Sequence, residues 1–146
     1  MRCIQVVNVR WFNATAWYGI YLSRLLHEAG HEVLVLGLPG SLSMAKAEQW
    51  GLRVHTLPLN TTAPWAIVSL YQELKTLSQN FQPQVVNCHR GESFVLWGLL
   101  KKELGSFNLV RTRGDQRLPK ENFINRWLHG QVADAVITTN AAMTRH

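Results

Sequence analysis

Three short runs in this chain combine residue types that can bind anions or move protons. His89 ends an apolar run and is followed by Arg90-Gly91-Glu92-Ser93, a turn into a helical pattern. An imidazole there can hydrogen-bond a sugar hydroxyl or a phosphate, or act as a proton carrier. It can equally be a structural group that ties the loop to backbone carbonyls. Arg90 and Glu92 beside it are candidate substrate contacts. The second run is Arg111-Thr112-Arg113-Gly114-Asp115-Gln116-Arg117. Alternation along a strand sends Arg111 and Arg113 to the same face, and a buried arginine needs a partner, so at least one should reach the end of the strand. Arg113 is better placed to fork onto a phosphate. Asp115 can accept from a sugar or hold Arg113, and Arg117 is a further binding candidate. An Arg–Asp pair that only braces the loop is the competing reading. The third run is Asn8-Val9-Arg10-Trp11-Phe12-Asn13. Trp11 and Asn13 are candidate substrate contacts, although packing of Trp11 and Phe12 beneath the loop is the favoured role. Asn140, after a later apolar run, is a last binding candidate whose simplest role is a helix cap.

Familiar alternatives are missing. The segment after the first apolar run has no GxGxxG, and no GxxxxGK[ST] or GxSxG occurs anywhere. His27 and His31 have the i, i+4 spacing of a zinc helix, but Gly30 between them reads as the end of the helix, so no metal and no resident cofactor are expected.

The elements that must hold these runs alternate strictly. Apolar, β-branched runs at 3–7, 32–38, 52–57, 84–88, 108–113 and 135–138 read as strands. Helical patterns fill 16–29, 42–50, 64–80, 93–104 and 119–132. In the first helix Trp17, Ile20, Tyr21, Leu25 and Leu26 form the apolar stripe, and Gly19 costs about 0.5–1 kcal/mol against alanine, which points to a close neighbour. Thr62 is the expected cap of the third helix, with Pro64 in its first turn. Continuous apolar strands suit a parallel sheet covered on both faces. The expected fold is therefore α/β, a Rossmann-like, three-layer, doubly wound parallel sheet of about six strands. In such sheets ligands sit beyond the carboxyl ends of the strands, which is where all three runs fall.

The chain has 146 residues, enough for one domain with a real core. Its 47% hydrophobic and 16% charged composition argues against disorder. The six tryptophans read as core or half-buried residues, the alternative being apolar surface covered by a partner. A net charge of +6 suits anionic partners such as acidic lipid or phosphorylated sugars. Without a nucleic-acid motif, nucleic acid is not an expected partner. Cys3 and Cys88 lie in strands and read as small core residues of a reducing compartment. No apolar run approaches the roughly 20 residues that span a bilayer, so the expected location is the cytoplasm, or the inner face of a membrane.

Beyond these readings the chain resembles a family. Leu22-Ser23-Arg24-Leu25-Leu26-His27-Glu28-Ala29-Gly30-His31-Glu32-Val33 is similar to the helix and Gly-His-Glu-Val strand of family 4 (group 1) retaining glycosyltransferases of the GT-B fold. Pro83-Gln84-Val85-Val86-Asn87-Cys88-His89 resembles their strand that ends in histidine. Ala133-Asp134-Ala135-Val136-Ile137-Thr138-Thr139-Asn140-Ala141 resembles a later strand and turn. The resemblance implies that residues 1–146 form the N-terminal, acceptor-side domain, half of a GT-B fold. A C-terminal nucleotide-sugar domain would then lie outside this chain, which stops one turn into a helix. It implies transfer of a sugar from a nucleotide-sugar co-substrate to a saccharide or lipid-linked acceptor, without metal. His89 falls on the family's strand-end histidine, and Asn140 takes the place of a common serine. Asn13-Ala14 replaces a glycine pair that approaches the donor phosphates. Arg113 replaces a frequent histidine, which favours anion binding over proton transfer there. The Arg-Thr-Arg-Gly-Asp run points to phosphorylated or lipid-linked saccharides such as lipopolysaccharide core. The family's C-terminal glutamates, eight positions apart, have no counterpart here. His89, Arg113 and Asp115 are the expected catalytic set. The competing reading is a non-catalytic module that binds a partner protein or anionic membrane lipid.

Overall fold

The structure is a computed structural model that describes residues 1–91, 93–113 and 135–138, with only the backbone for Arg113 and residues 135–138. Ten elements alternate along it: β1 (Arg2–Val7), α1 (Ala14–Glu28), β2 (Glu32–Gly37), α2 (Leu42–Gln49), β3 (Arg53–Thr56), α3 (Pro64–Phe81), β4 (Val85–Cys88), α4 (Phe94–Leu104), β5 (Asn108–Arg113) and β6 (Ala135–Thr138). The six strands form one parallel sheet in the order β3-β2-β1-β4-β5-β6. This is the expected Rossmann-like architecture. The expected helix over 119–132 lies outside the described residues.

Alternation along the strands builds two cores. Ile4, Val6, Leu34, Leu36, Val86 and Leu109 face α3 and α4, where they meet Leu70, Leu74, Phe94, Trp97 and Leu100. Cys3, Val7, Val33 and Val35 face α1 and α2, where they meet Ala16, Ile20, Met44 and Ala47. Both faces are thus covered, as continuous apolar strands require. Cys3 and Cys88 are buried and free.

Several local expectations differ from the structure. α1 does not bury its bulky stripe. Its inner face is Ala16, Gly19, Ile20 and Ser23, while Trp17, Tyr21 and Leu25 are exposed. Small side chains win because they let the helix axis approach the sheet closely. Ser23 turns its hydroxyl back onto the Gly19 carbonyl at 2.7 Å and so buries no unmet polar group. α1 also starts two residues early, because Asn13 accepts from the Ala16 amide at 3.0 Å and caps it. Thr62 does not cap α3. Ala63 holds that position without a side-chain bond, and Pro64, with its preset φ, opens the helix. The tryptophans also depart from expectation: Trp97 is fully buried, but Trp11, Trp17 and Trp65 are 66%, 47% and 78% exposed.

Candidate site at the carboxyl edge of the sheet

The strand order reverses between β1 and β4, since the chain builds outward from β1 to β3 and then from β4 to β6. In an open parallel sheet this switch point leaves a crevice at the carboxyl edge, because the two flanking crossovers leave in opposite directions. The loops that border it are 8–13, after β1, and 89–91, after β4. Two of the three chemically promising runs therefore meet. The third begins on β5, next to β4, with Cys88 level with Arg111.

His89 sits just past β4, and its amide donates to the Val6 carbonyl at 3.0 Å, which extends the ladder between β1 and β4. The ring is 3% exposed. Its Nε2 lies 2.7 Å from Gln5 Oε1, and Tyr18 of α1 approaches it edge-on with centroids 6.0 Å apart. Gly19 makes room for the ring. A methyl group at that position would stand 2.8 Å from Val7 Cγ2 and 3.3 Å from His89 Cδ2, so the close neighbour the sequence pointed to is the sheet and this histidine. Burial, and secondarily the Arg111 guanidinium, lower the His89 pKa to about 4. His89 is therefore a neutral imidazole at neutral pH.

A polar ladder missed by the sequence reading supports it. Gln5, Asn87 and Thr112 come from three adjacent strands and share the α1 side of the sheet. Thr112 Oγ1 donates to Asn87 Oδ1 at 2.8 Å, and Asn87 Nδ2 donates to Gln5 Oε1 at 3.2 Å. The only signal in the sequence was polar residues at inward positions of otherwise apolar strands.

Arg111 is buried on the opposite face and donates to the carbonyls of Cys88, at 3.3 Å, and Thr112. It braces the ends of β4 and β5. Burial pushes the neighbouring Cys88 thiol up to about 12, against the opposing pull of Arg111, so Cys88 is no nucleophile. The loop after β1 is pinned on two sides. Asn8 and Asn60 exchange hydrogen bonds at 2.8 and 3.3 Å. Ser43 Oγ and the Leu42 amide donate to the Val9 and Arg10 carbonyls at 2.5 and 3.1 Å. Trp11 projects from this fixed loop into solvent instead of packing beneath it, whereas Phe12 is half-buried against the core. Trp17 and Trp65 lie in the first turns of α1 and α3, so all three exposed tryptophans gather at the carboxyl edge.

The structure thus brings His89, Arg90, Trp11 and the backbone of Arg113 to one edge. Asn13 is there too, with its side-chain oxygen engaged in capping α1. Glu92, Asp115, Arg117 and Asn140 lie outside the described residues. Among the described residues no group of three or more His, Cys, Asp or Glu could hold a metal ion.

The fold and this edge define a Rossmann-like α/β domain with its crevice at the carboxyl edge of the sheet. Residues 5–114 match the family model "Glycosyl transferase 4-like", and the chain belongs to that family. Comparison with curated proteins gives no match. Among solved structures the chain is similar to Anabaena HepE in complex with UDP, with a TM-score of 0.79, 13% identity, and 99% of this chain on 39% of that one. It is also similar to Acinetobacter baumannii MurG, with a TM-score of 0.73, 13% identity, and 97% of this chain on 42% of that one. The lipopolysaccharide outer core galactosyltransferase WaaB, in its apo form, matches with a TM-score of 0.72, 11% identity, and 99% of this chain on 41% of that one. At such identities the likeness shows the fold. The chain spans less than half the length of each of these structures.

Proposed function

We propose that this chain is the acceptor-side domain of a glycosyltransferase that moves a sugar from a nucleotide-sugar donor to a saccharide or lipid-linked acceptor. A second domain outside the chain would hold most of the donor, and no metal or resident cofactor is invoked. The carrying observation is the family match across 5–114, which contains the switch-point loops 8–13 and 89–91. The site's chemistry supports it. Exposed indole rings at the carboxyl edge offer flat apolar faces for a saccharide. None of α1 to α4 has an acidic residue in its first turn, so the helix N-termini at that edge keep their positive ends for an anionic diphosphate. Arg113 would contact the anion and Asp115 would hold it. His89 would contact the ligand directly, and Arg90, Glu92, Arg117, Trp11, Asn13 and Asn140 would line the acceptor side.

A cytoplasmic placement at the inner face of a membrane fits a lipid-linked acceptor, as does the net charge of +6. No helix among the described residues is long and apolar enough to cross a membrane. On α1, Trp17 and Tyr21 stack at 4.9 Å and 9° in the open, and Leu25 continues the stripe. This exposed face keeps a second reading in view, a module that docks to a partner protein or to anionic lipid without chemistry.

The test is sugar transfer by the full-length parent protein. His89→Ala and Arg113→Ala should each cut kcat/KM by about ten-fold or more, the order expected for a lost contact to a reacting ligand, with the His89→Ala rate read below its own melting point, which the emptied buried site lowers. Wild-type rates in both variants would remove these residues from the site. Lipid or partner binding with no sugar-nucleotide dependence would favour the second reading.

A further inference from the structure

Gln5 occupies the middle of β1 and is 2% exposed. Its Oε1 faces two nitrogens, Asn87 Nδ2 at 3.2 Å and His89 Nε2 at 2.7 Å. Its own nitrogen faces Cys3 Sγ at 3.9 Å. An amide oxygen can only accept, so His89 must supply a hydrogen on Nε2. A neutral imidazole carries one ring proton, which leaves Nδ1 as a bare acceptor. Turning Gln5 and Asn87 over would put two nitrogens 2.7 Å apart, a separation that suits N–H···O and crowds a nitrogen pair.

We propose that Gln5 is a positioning residue: it holds His89 in the Nε2–H tautomer, so that the one nitrogen His89 can offer a ligand accepts a hydrogen bond and suits a hydroxyl, not a phosphate. The unprotonated oxygens of a phosphate ester or diphosphate only accept, and a lone pair facing them repels. A sugar hydroxyl donates and fits. Asn87 and Thr112 serve the same end, since the Thr112 hydroxyl orients Asn87 and Asn87 orients Gln5. The inference gives a polarity to the ligand contact made in the proposed function and rests on that reading for its ligand. The tautomer itself does not depend on it.

The experiment is long-range 1H–15N correlation of the imidazole groups in the uniformly labelled chain at pH 7, with His89 assigned by its loss in His89→Gln. The expected result is one neutral form with a pyrrole-type Nε2 and a pyridine-type Nδ1, unmoved by added inorganic phosphate. Gln5→Leu should convert this to a mixture of tautomers, and Gln5→Glu, which keeps an oxygen acceptor in place, should keep Nε2 protonated while raising the pKa of the ring. A proton on Nδ1 in the wild type, a protonating shift on adding phosphate, or an unchanged single tautomer in Gln5→Leu overturns the proposal. If Gln5→Leu does not fold, the wild-type spectrum and the phosphate titration decide. Should His89→Ala leave transfer intact while the Nε2–H form is observed, the site reading fails and the tautomer assignment stands.

Discussion

At the scale of single residues, His89 combines burial with a hydrogen bond that needs the neutral ring. Its pKa of about 4 lies below the ordinary 6.5. Between these values the unfolded chain binds the proton and the folded chain does not. Stability from the neutral ring is therefore complete above pH 6.5 and lost as the pH falls through 4. About 2.5 pKa units corresponds to roughly 3 kcal/mol. Urea unfolding at a series of pH values should show stability declining across that window, and His89→Gln should flatten the decline. An equal slope in both proteins would mean that other groups carry the acid sensitivity. A neutral ring also rules out a charged role for His89 at pH 7, which leaves anion binding to the arginines and helix ends.

At the scale of elements, α1 couples the fold to the site. It buries its small face so that Gly19 can lie against Val7 and His89, and it leaves Trp17, Tyr21 and Leu25 outside. Gly19→Ala has two opposed effects. Alanine favours the helix by about 0.5–1 kcal/mol. The added methyl, 2.8 Å from a buried valine on a central strand, forces a shift that costs about 1–3 kcal/mol. The overlap should win, because Val7 is branched and its strand is bonded on both sides, by β2 and β4. The expected outcome is a net loss of about 1–2 kcal/mol, read from the urea midpoint, with the His89 resonances displaced. A stabilised variant would show that α1 can lift away from the sheet.

At the scale of the whole molecule, apolar surface is unevenly spent. Trp97 is fully buried, with Phe107 edge-on at 5.9 Å, while Trp11, Trp17 and Trp65 face solvent at the carboxyl edge. Trp97→Ala should cost about 3–5 kcal/mol. Trp11→Ser and Trp65→Ser should stay within about 0.5 kcal/mol of wild type, because most of each side chain already faces water. Urea midpoints for the three variants check this. A large loss in Trp11→Ser would place its ring in the core. Rings kept in the open at no gain to folding fit a surface used for binding.

Strand and helix order were legible in the sequence because apolar periodicity is set by burial on one face or two, and the glycines after α1 and α4 mark where the backbone must turn left-handed, with φ of +94° at Gly30 and +63° at Gly105. The sequence also put His89 and the loop after β1 at strand ends. That they are direct neighbours on that shared edge was not legible. It depends on β4 pairing with β1 instead of β3, a choice made by long-range packing that no local pattern encodes. The same pairing aligned Gln5 with Asn87 and so gave His89 its partner. Helix α1 failed as a sequence reading for a related reason: apolar spacing reports which side chains can be buried, and only the distance between helix and sheet decides which of them fit.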